Sequence, residues 1–156
     1  MTAVFFYDAW AFIALANRLD PGHAVAAALD LELERQGYAA VTTDYILDET
    51  ITHLNSKASP KIAIEFVEDL LSRVSASEVQ LIEINPERWA KAFTLFKRLA
   101  CSTRQLSFTD ATSFAVMHEL SITRAFTADR HFHQAGRGVY PLVEKRPSGY
   151  AIQKLP

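Results

Sequence analysis

The sequence contains little cysteine and no long hydrophobic run. Its single cysteine, Cys101, cannot form an internal disulfide, which is typical of a reducing compartment and excludes a cysteine-based metal site. The longest apolar runs are far too short to cross a membrane. No basic segment precedes the first apolar run, so we expect no signal peptide and a cytoplasmic protein.

The sequence also lacks an excess of positive charge. It has 16 basic and 18 acidic residues and a formal net charge of −2, unlike proteins that coat nucleic acid by bulk attraction. The nucleophile motif GxSxG, the phosphate-binding P-loop and cysteine–histidine zinc patterns are absent from the sequence. RNA binding is still allowed, because gathering four acids around a cation moves the remaining charge from −2 to +2.

Short apolar segments alternate with helical patterns along most of the chain. This alternation predicts an α/β fold with three layers (α/β/α) around a parallel sheet of four or five strands. The crossovers between strands should be right-handed. A length of 156 residues fits one domain, which we place at residues 1–144, followed by a loose polar tail at residues 145–156.

Five segments are predicted as strands, at residues 3–8, 38–43, 79–84, 122–127 and 139–143. The last is interrupted by Pro141 and should therefore lie at an edge of the sheet. Helices are predicted at residues 9–16, 23–36, 45–55, 60–73, 86–99 and 107–120. Asp44, Asn85 and Ser107 are the expected N-caps of the helices at residues 45–55, 86–99 and 107–120, respectively.

Four acidic residues fall near the carboxyl ends of predicted strands or in the helices beside them: Asp8, Glu49, Asp110 and Asp129. Open α/β sheets bind their ligands at this end, at the point where the strand order reverses. If the first and fourth strands are neighbours there, their two acids open into one crevice that the two helical acids can also reach. The arrangement predicts a site for a divalent cation.

Each of these acids also has a purely structural explanation. Asp8 and Asp129 can cap the helical segments that follow them. Asp110 completes a capping box with Ser107. Glu49 can be a solvated residue in the middle of a helix. Four unrelated residues of this kind would have no reason to gather at one end of the sheet, so we favour the shared site.

Three of the acids lie in segments that resemble the PIN domain, and more narrowly the VapC-type toxins. The segments are TTDYILDET at residues 42–50, LSFTDATSFAVM at residues 106–117 and ITRAFTADRHF at residues 122–132. The resemblance implies a metal-dependent endoribonuclease in which water, activated by Mg²⁺ or Mn²⁺, leaves a 5′-phosphate and a 3′-hydroxyl. It implies one or two ions, for which Asp8 and Asp110 are our candidates as direct ligands. Glu49 and Asp129 would bind directly or through water.

The family usually has a serine or threonine soon after the first acid, where this chain has Ala9 and Trp10. Thr112 and Thr127 are the candidates to supply that hydroxyl. His131 and His133 are interpreted as surface or packing residues and are not assigned to the site.

The resemblance also implies partners. These are an RNA substrate, a VapB-type antitoxin whose tail lies along the acidic crevice, and a second copy of the chain, with the helix at residues 61–73 as a candidate dimer surface.

Two alternatives remain open from the sequence. A phosphatase of the haloacid dehalogenase type also begins with a strand and an acid, but it needs a second aspartate where this chain has Trp10. A PIN-like module that binds RNA or protein without cleaving it is the stronger alternative, although four intact acids favour cleavage.

Overall fold

A computed structural model of the chain describes residues 3–102, 105–134 and 140–153. Within them, one parallel sheet has five strands: β1 (Val4–Tyr7), β2 (Ala39–Thr43), β3 (Val79–Ile82), β4 (Arg124–Phe126) and β5 (Tyr140–Pro141). Their order in the sheet is β3-β2-β1-β4-β5. The chain moves outward from β1 to β3 and then returns to the other side of β1, so the strand order reverses between β1 and β4. The predicted parallel α/β sheet and its reversal point are confirmed.

Seven helices in the described residues flank or connect the strands: α1 (Ala9–Ala16), α2 (His23–Arg35), α3 (Asp44–Lys57), α4 (Pro60–Ser75), α5 (Pro86–Leu99), α6 (Phe108–Glu119) and α7 (His131–Gln134). No helix in this part of the chain is both long enough and apolar enough to cross a membrane. The order of helices and strands follows the predicted alternation.

The helix starts follow the sequence pattern, with one correction. Asn85 caps α5 through the backbone N–H of Arg88, and Ser107 caps α6. The cap of α3 is Thr43 and not Asp44, because the Thr43 hydroxyl accepts the Ile46 N–H at 3.1 Å. Asp44 instead accepts the backbone N–H of Ile84, where the chain leaves β3.

Large aromatic residues fill the centre of the molecule. Phe5 and Phe6 of β1 are buried on opposite faces of the central strand, and Phe126 is buried on β4. Phe132 of α7 packs edge-on against Phe114 of α6, with ring centroids 5.0 Å apart. Each fully buried phenylalanine stabilises the fold by about 1.5–3 kcal/mol. These contacts hold β1, β4, α6 and α7 together, and those are the elements that carry three of the four acids.

Most of the segment that was expected from the sequence to be a loose tail is ordered, at residues 145–152. Strands β6 (Val143–Arg146) and β7 (Gly149–Ile152) form an antiparallel hairpin. Strand β7 begins at Gly149, directly after the turn, and the φ of Gly149, +129°, is a conformation that side-chain-bearing residues rarely adopt. The Gln153 N–H donates to the Leu142 carbonyl at 2.7 Å, which closes the base of the hairpin. Residues 154–156, and the predicted strand start at Val139, lie outside the described residues.

Candidate functional site

The four acids meet at the carboxyl end of the sheet. Asp8 directly follows β1, and its backbone N–H donates to the Phe126 carbonyl of β4 at 3.2 Å. Asp129 follows β4, Asp110 lies in the first turn of α6, and Glu49 lies in α3. All four line one open cleft of about 340 Å³.

Asp8 is the most deeply placed of the four, with 6% of its surface exposed. It occupies the N-cap position of α1, but its side chain makes no capping hydrogen bond. Burial raises the pKa of Asp8 from 3.8 to about 8; the hydrogen bond from Thr127 opposes this, and the negative charge of Asp110 adds to it. The Asp8 carboxyl therefore lines the cleft without serving as the side-chain cap of the helix that follows it.

Asp110 serves as a helix cap and as a member of the cleft. The Ser107 N–H donates to its Oδ2 at 3.2 Å, while its own N–H donates to the Ser107 hydroxyl at 3.0 Å. Burial, followed by the charge of Asp129, raises the pKa of Asp110 to about 6. The structural and functional explanations of this residue are therefore compatible, because one carboxylate oxygen caps the helix without removing the side chain from the cleft.

Glu49 and Asp129 complete the acidic set. Burial, then the charges of Asp110 and Asp129, raises the pKa of Glu49. Asp129 accepts the His131 N–H at 2.9 Å and so also shapes the turn before α7. The neighbouring negative charges thus add to burial in raising the pKa values of Asp8, Glu49 and Asp110, which is the expected behaviour of carboxylates crowded into one site.

Thr127 supplies the hydroxyl that the sequence lacks after Asp8. Its Oγ1 donates to Asp8 Oδ2 at 2.6 Å and accepts the Asp129 N–H at 3.0 Å. It therefore links the first acid to the fourth. The Thr112 hydroxyl donates instead to the Thr109 carbonyl within α6, at 2.7 Å, so Thr112 does not reach the acids in this way.

His131 lies beside these acids, although it was not assigned to the site from the sequence. Its Nδ1 lies 3.1 Å from Asp129 Oδ1 and 3.8 Å from Asp110 Oδ2. Ligand atoms of Asp110, Asp129 and His131 all lie within 4.8 Å of one another. The available signal was the spacing Asp129-x-His131 at the end of a buried strand, since the turn that Asp129 caps directs the histidine back to the acid.

The C-terminal hairpin adds a second group that the sequence did not predict. Lys145 of β6 and Tyr150 of β7 line the same cleft, together with Trp10 of α1. Two aromatic rings and one amine therefore stand beside the carboxylates.

The donor set suits a small, hard cation. Carboxylate oxygens are the ligands that Mg²⁺ and Mn²⁺ prefer, and an imidazole is compatible with Mn²⁺. Asp8 and Asp110 are buried with raised pKa values, so their ionised forms are destabilised in the folded protein. A divalent cation among them would remove that penalty, and the residues fit such an ion.

Comparison with known proteins adds a family and two named relatives. A family model of the PIN domain matches residues 5–138. Two Mycobacterium tuberculosis proteins, from strains CDC 1551 / Oshkosh and ATCC 25618 / H37Rv, are named 23S rRNA-specific endonuclease VapC20. Each is 30% identical to this chain over 142 residues, which is 91% of this chain and 98% of the relative.

Solved structures show the same fold. The crystal structure of Mycobacterium tuberculosis VapC20, described as a toxin that cleaves the sarcin-ricin loop, matches with a TM-score of 0.72 and 28% identity, covering 86% of this chain and 95% of that one. VapBC2 from Rickettsia felis, solved with a DNA fragment from its promoter, matches with a TM-score of 0.61 over 85% of this chain and 92% of that one. At 11% identity, the second structure supports the fold alone.

Proposed function

Because this chain belongs to the PIN domain family, we propose that it is a metal-dependent endoribonuclease and the toxin of a type II toxin–antitoxin pair. The observation that carries the proposal is the convergence of Asp8, Glu49, Asp110 and Asp129 on one cleft. Burial and mutual repulsion leave three of these carboxylates with raised pKa values. Clusters of perturbed acids in a cleft are characteristic of active sites.

We assign all four acids to the catalytic centre. Asp8 and Asp110 are direct metal ligands, and Glu49 and Asp129 bind directly or through water. When bound among these residues, Mg²⁺ or Mn²⁺ would lower the pKa of a water and would neutralise charge on the phosphoryl oxygens. The hydrogen bonds from Thr127, Ser107 and the His131 backbone hold the carboxylates of Asp8, Asp110 and Asp129, respectively, in fixed orientations.

Glu49 is the carboxylate best suited to accept the proton of the attacking water. Among the described residues none donates a hydrogen bond to its side chain, so the carboxylate is free to turn toward the water. Its pKa is raised by burial and by the neighbouring acids, which strengthens it as a base. In-line attack at phosphorus then leaves a 5′-phosphate and a 3′-hydroxyl.

The partners of the site follow from the same assignment. Relatives named as rRNA endonucleases cover 91% of this chain, which supports RNA as the substrate class. We propose a VapB-type antitoxin whose terminal segment lies along the acidic cleft. We also propose a homodimer through α4, which exposes Ile64 and Leu71 at 58% and 48%.

The decisive experiment is cleavage of purified ribosomal RNA with sequencing of the product ends. We expect cleavage in Mg²⁺ or Mn²⁺, none in EDTA, and products that carry a 5′-phosphate and a 3′-hydroxyl. Cleavage that persists in EDTA would contradict a metal-dependent mechanism. Binding of RNA without cleavage in either metal would favour the alternative of a PIN-like binding module.

A further inference from the structure

One wall of the cleft consists of residues other than the acids. Lys145 on β6 and Tyr150 on β7 are directly paired across the hairpin, and paired residues of antiparallel strands project from the same face. The Tyr150 ring lies 5.1 Å from the Trp10 ring of α1, at 54°. All three side chains line the cleft that contains the acids. We call this group the aromatic wall.

Packing holds Trp10 in place. Its ring lies 6.3 Å from the ring of buried Phe126 on β4. On another side it covers Gly22, where an added Cβ would approach Trp10 Cζ2 to 2.5 Å. The Gly22 N–H donates to Asp20 Oδ1 at 2.8 Å, so the turn beneath the indole is itself fixed. The aromatic surface therefore exists before any ligand arrives.

Lys145 is available to an external anion. It is exposed, and no carboxylate in the described residues lies within ion-pair distance of its amine. The next residue, Arg146, projects from the other face and pairs with Glu144 at 3.2 Å. Among the described residues that line the cleft, Lys145 has the single positively charged side chain. The hairpin thus places the Lys145 side chain at the cleft, whereas the Arg146 guanidinium is paired with Glu144 outside it.

We propose that the aromatic wall holds the nucleotide next to the cleaved bond, with an unpaired base stacked on Trp10 and Tyr150 and its phosphate bound by Lys145. Proteins recognise RNA loops by stacking splayed bases on aromatic side chains, and a lysine binds phosphate as a point charge. The acids repel the backbone, so a neighbouring attractive surface is needed to seat it. The inference rests on the proposed function, since it identifies how the same site holds its RNA and selects unpaired over duplex substrate.

The test measures RNA binding separately from cleavage. The probe is a 5′-fluorescein single-stranded RNA of twelve nucleotides and mixed sequence, followed by anisotropy in EDTA at low salt. Tyr150→Leu should raise Kd about tenfold, because stacking of one base contributes about 1–3 kcal/mol and 1.4 kcal/mol corresponds to tenfold. Tyr150→Phe retains the ring and should restore affinity.

Lys145→Met supplies a second, independent variant on an exposed side chain. It should weaken binding and reduce the slope of log Kd against log salt by about 0.7, the value for one phosphate contact on a single strand. Arg146→Met removes the same charge from the other face of the hairpin and should leave both affinity and slope unchanged. Melting temperatures of all variants show whether the hairpin remains folded.

Tryptophan emission reports on stacking directly. The chain has two tryptophans, and Trp89→Phe leaves Trp10 as the single emitter, which RNA should quench. If wild-type protein binds and cleaves RNA but Tyr150→Leu and Lys145→Met bind as tightly and Trp10 is not quenched, the inference is overturned and the proposed function stands. If wild-type protein neither binds nor cleaves RNA, the proposed function itself fails.

Discussion

Carboxylates at two places in this molecule have opposite surroundings. On the outer surface, Glu119 of α6 accepts two hydrogen bonds from the Arg88 guanidinium, at 2.8 and 2.9 Å, and these bonds lower its pKa. In the cleft, Asp8 accepts a hydroxyl and Asp110 a backbone N–H, and burial raises the pKa of both. The chain thus neutralises the charge of its surface acid and leaves that of the cleft acids largely uncompensated.

Because the cleft acids have no arginine partner of this kind among the described residues, the cleft is the place where a bound cation would have the larger effect. A surface ion pair of the Arg88–Glu119 kind contributes about 0.2–1 kcal/mol, so its loss should be nearly silent. When they are ionised, the cleft acids reduce the stability of the metal-free protein, and natural chains retain such strain at functional sites. Substitutions that neutralise one acid in each region therefore separate structural from catalytic carboxylates.

The largest effect is expected from Asp110→Asn. Because charge stabilisation by a metal contributes several kcal/mol to the transition state, loss of a metal ligand should reduce RNA cleavage at least about a hundredfold. The amide oxygen can still accept the Ser107 N–H, so the fold should persist, with at most about 1 kcal/mol lost from the cap. Cleavage rates and melting curves measure the two effects.

Glu119→Gln is the matched control for that substitution. It neutralises an acid on the same helix, α6, but outside the cleft. We expect cleavage within twofold of the wild type, as a rough limit, and a stability loss below about 1 kcal/mol. Equal activity of the two variants would remove the distinction between the regions and, with it, the catalytic role of Asp110.

A second prediction uses the pH dependence of stability in metal-free protein. The pKa of Asp8 is about 8 and that of Asp110 about 6, against 3.8 in the unfolded chain. The folded state therefore binds these protons more tightly, and the resulting stabilisation is complete below about pH 4 and is lost as pH rises toward 6 and then 8. Each titrating group lowers the unfolding free energy by up to about 1.4 kcal/mol per pH unit.

The contribution of the surface acid Glu119 to stability depends on pH in the opposite direction. The lowered pKa of Glu119 gives stability that is present above its unfolded value and is lost only as pH falls below about 4. The unfolding free energy, measured with denaturant between pH 5 and 8, therefore reports on the cleft acids and not on Glu119. Asp8→Asn should flatten the profile there, and Mn²⁺ at a hundred times its Kd should add about 2.7 kcal/mol at pH 8. A flat wild-type profile combined with no Mn²⁺ effect would exclude a crowded cation site.

Local patterns predicted the fold and the convergence of the four acids, but not the other residues that line the cleft. Apolar runs and cap residues specify strands and helices through neighbours in sequence, which is why Asn85 and Ser107 were identified correctly. Thr43 and Asp44 are adjacent and both suited to capping, and only the contact of Asp44 with Ile84 decides between them. Lys145 was missed because its hairpin is short, polar and held by distant contacts.

His131 shows the same limit within the site. Its place beside Asp110 depends on the packing of α7 against α6, through Phe132 and Phe114, and not on its own sequence neighbours alone. The convergence of the four acids was predictable because parallel strands end at one edge. Their separate roles as ligands and base remain predictions, and the variants above test them.

The smallest expected effect concerns Thr127, whose neutral hydroxyl donates a hydrogen bond to Asp8. The surface acid Glu119 has an arginine in the corresponding role. Thr127→Val removes the hydroxyl bonded to Asp8 Oδ2 and should lower kcat/KM about tenfold, since hydrogen bonds to charged groups contribute about 1.5–3 kcal/mol. Thr112→Val removes an equally buried hydroxyl that bonds only to a helix carbonyl. It should cost similar stability, about 1 kcal/mol, but leave kcat/KM unchanged. If both variants lose activity in proportion to stability, the Thr127 hydroxyl is structural; a loss confined to Thr127→Val means that the orientation of Asp8 matters for catalysis.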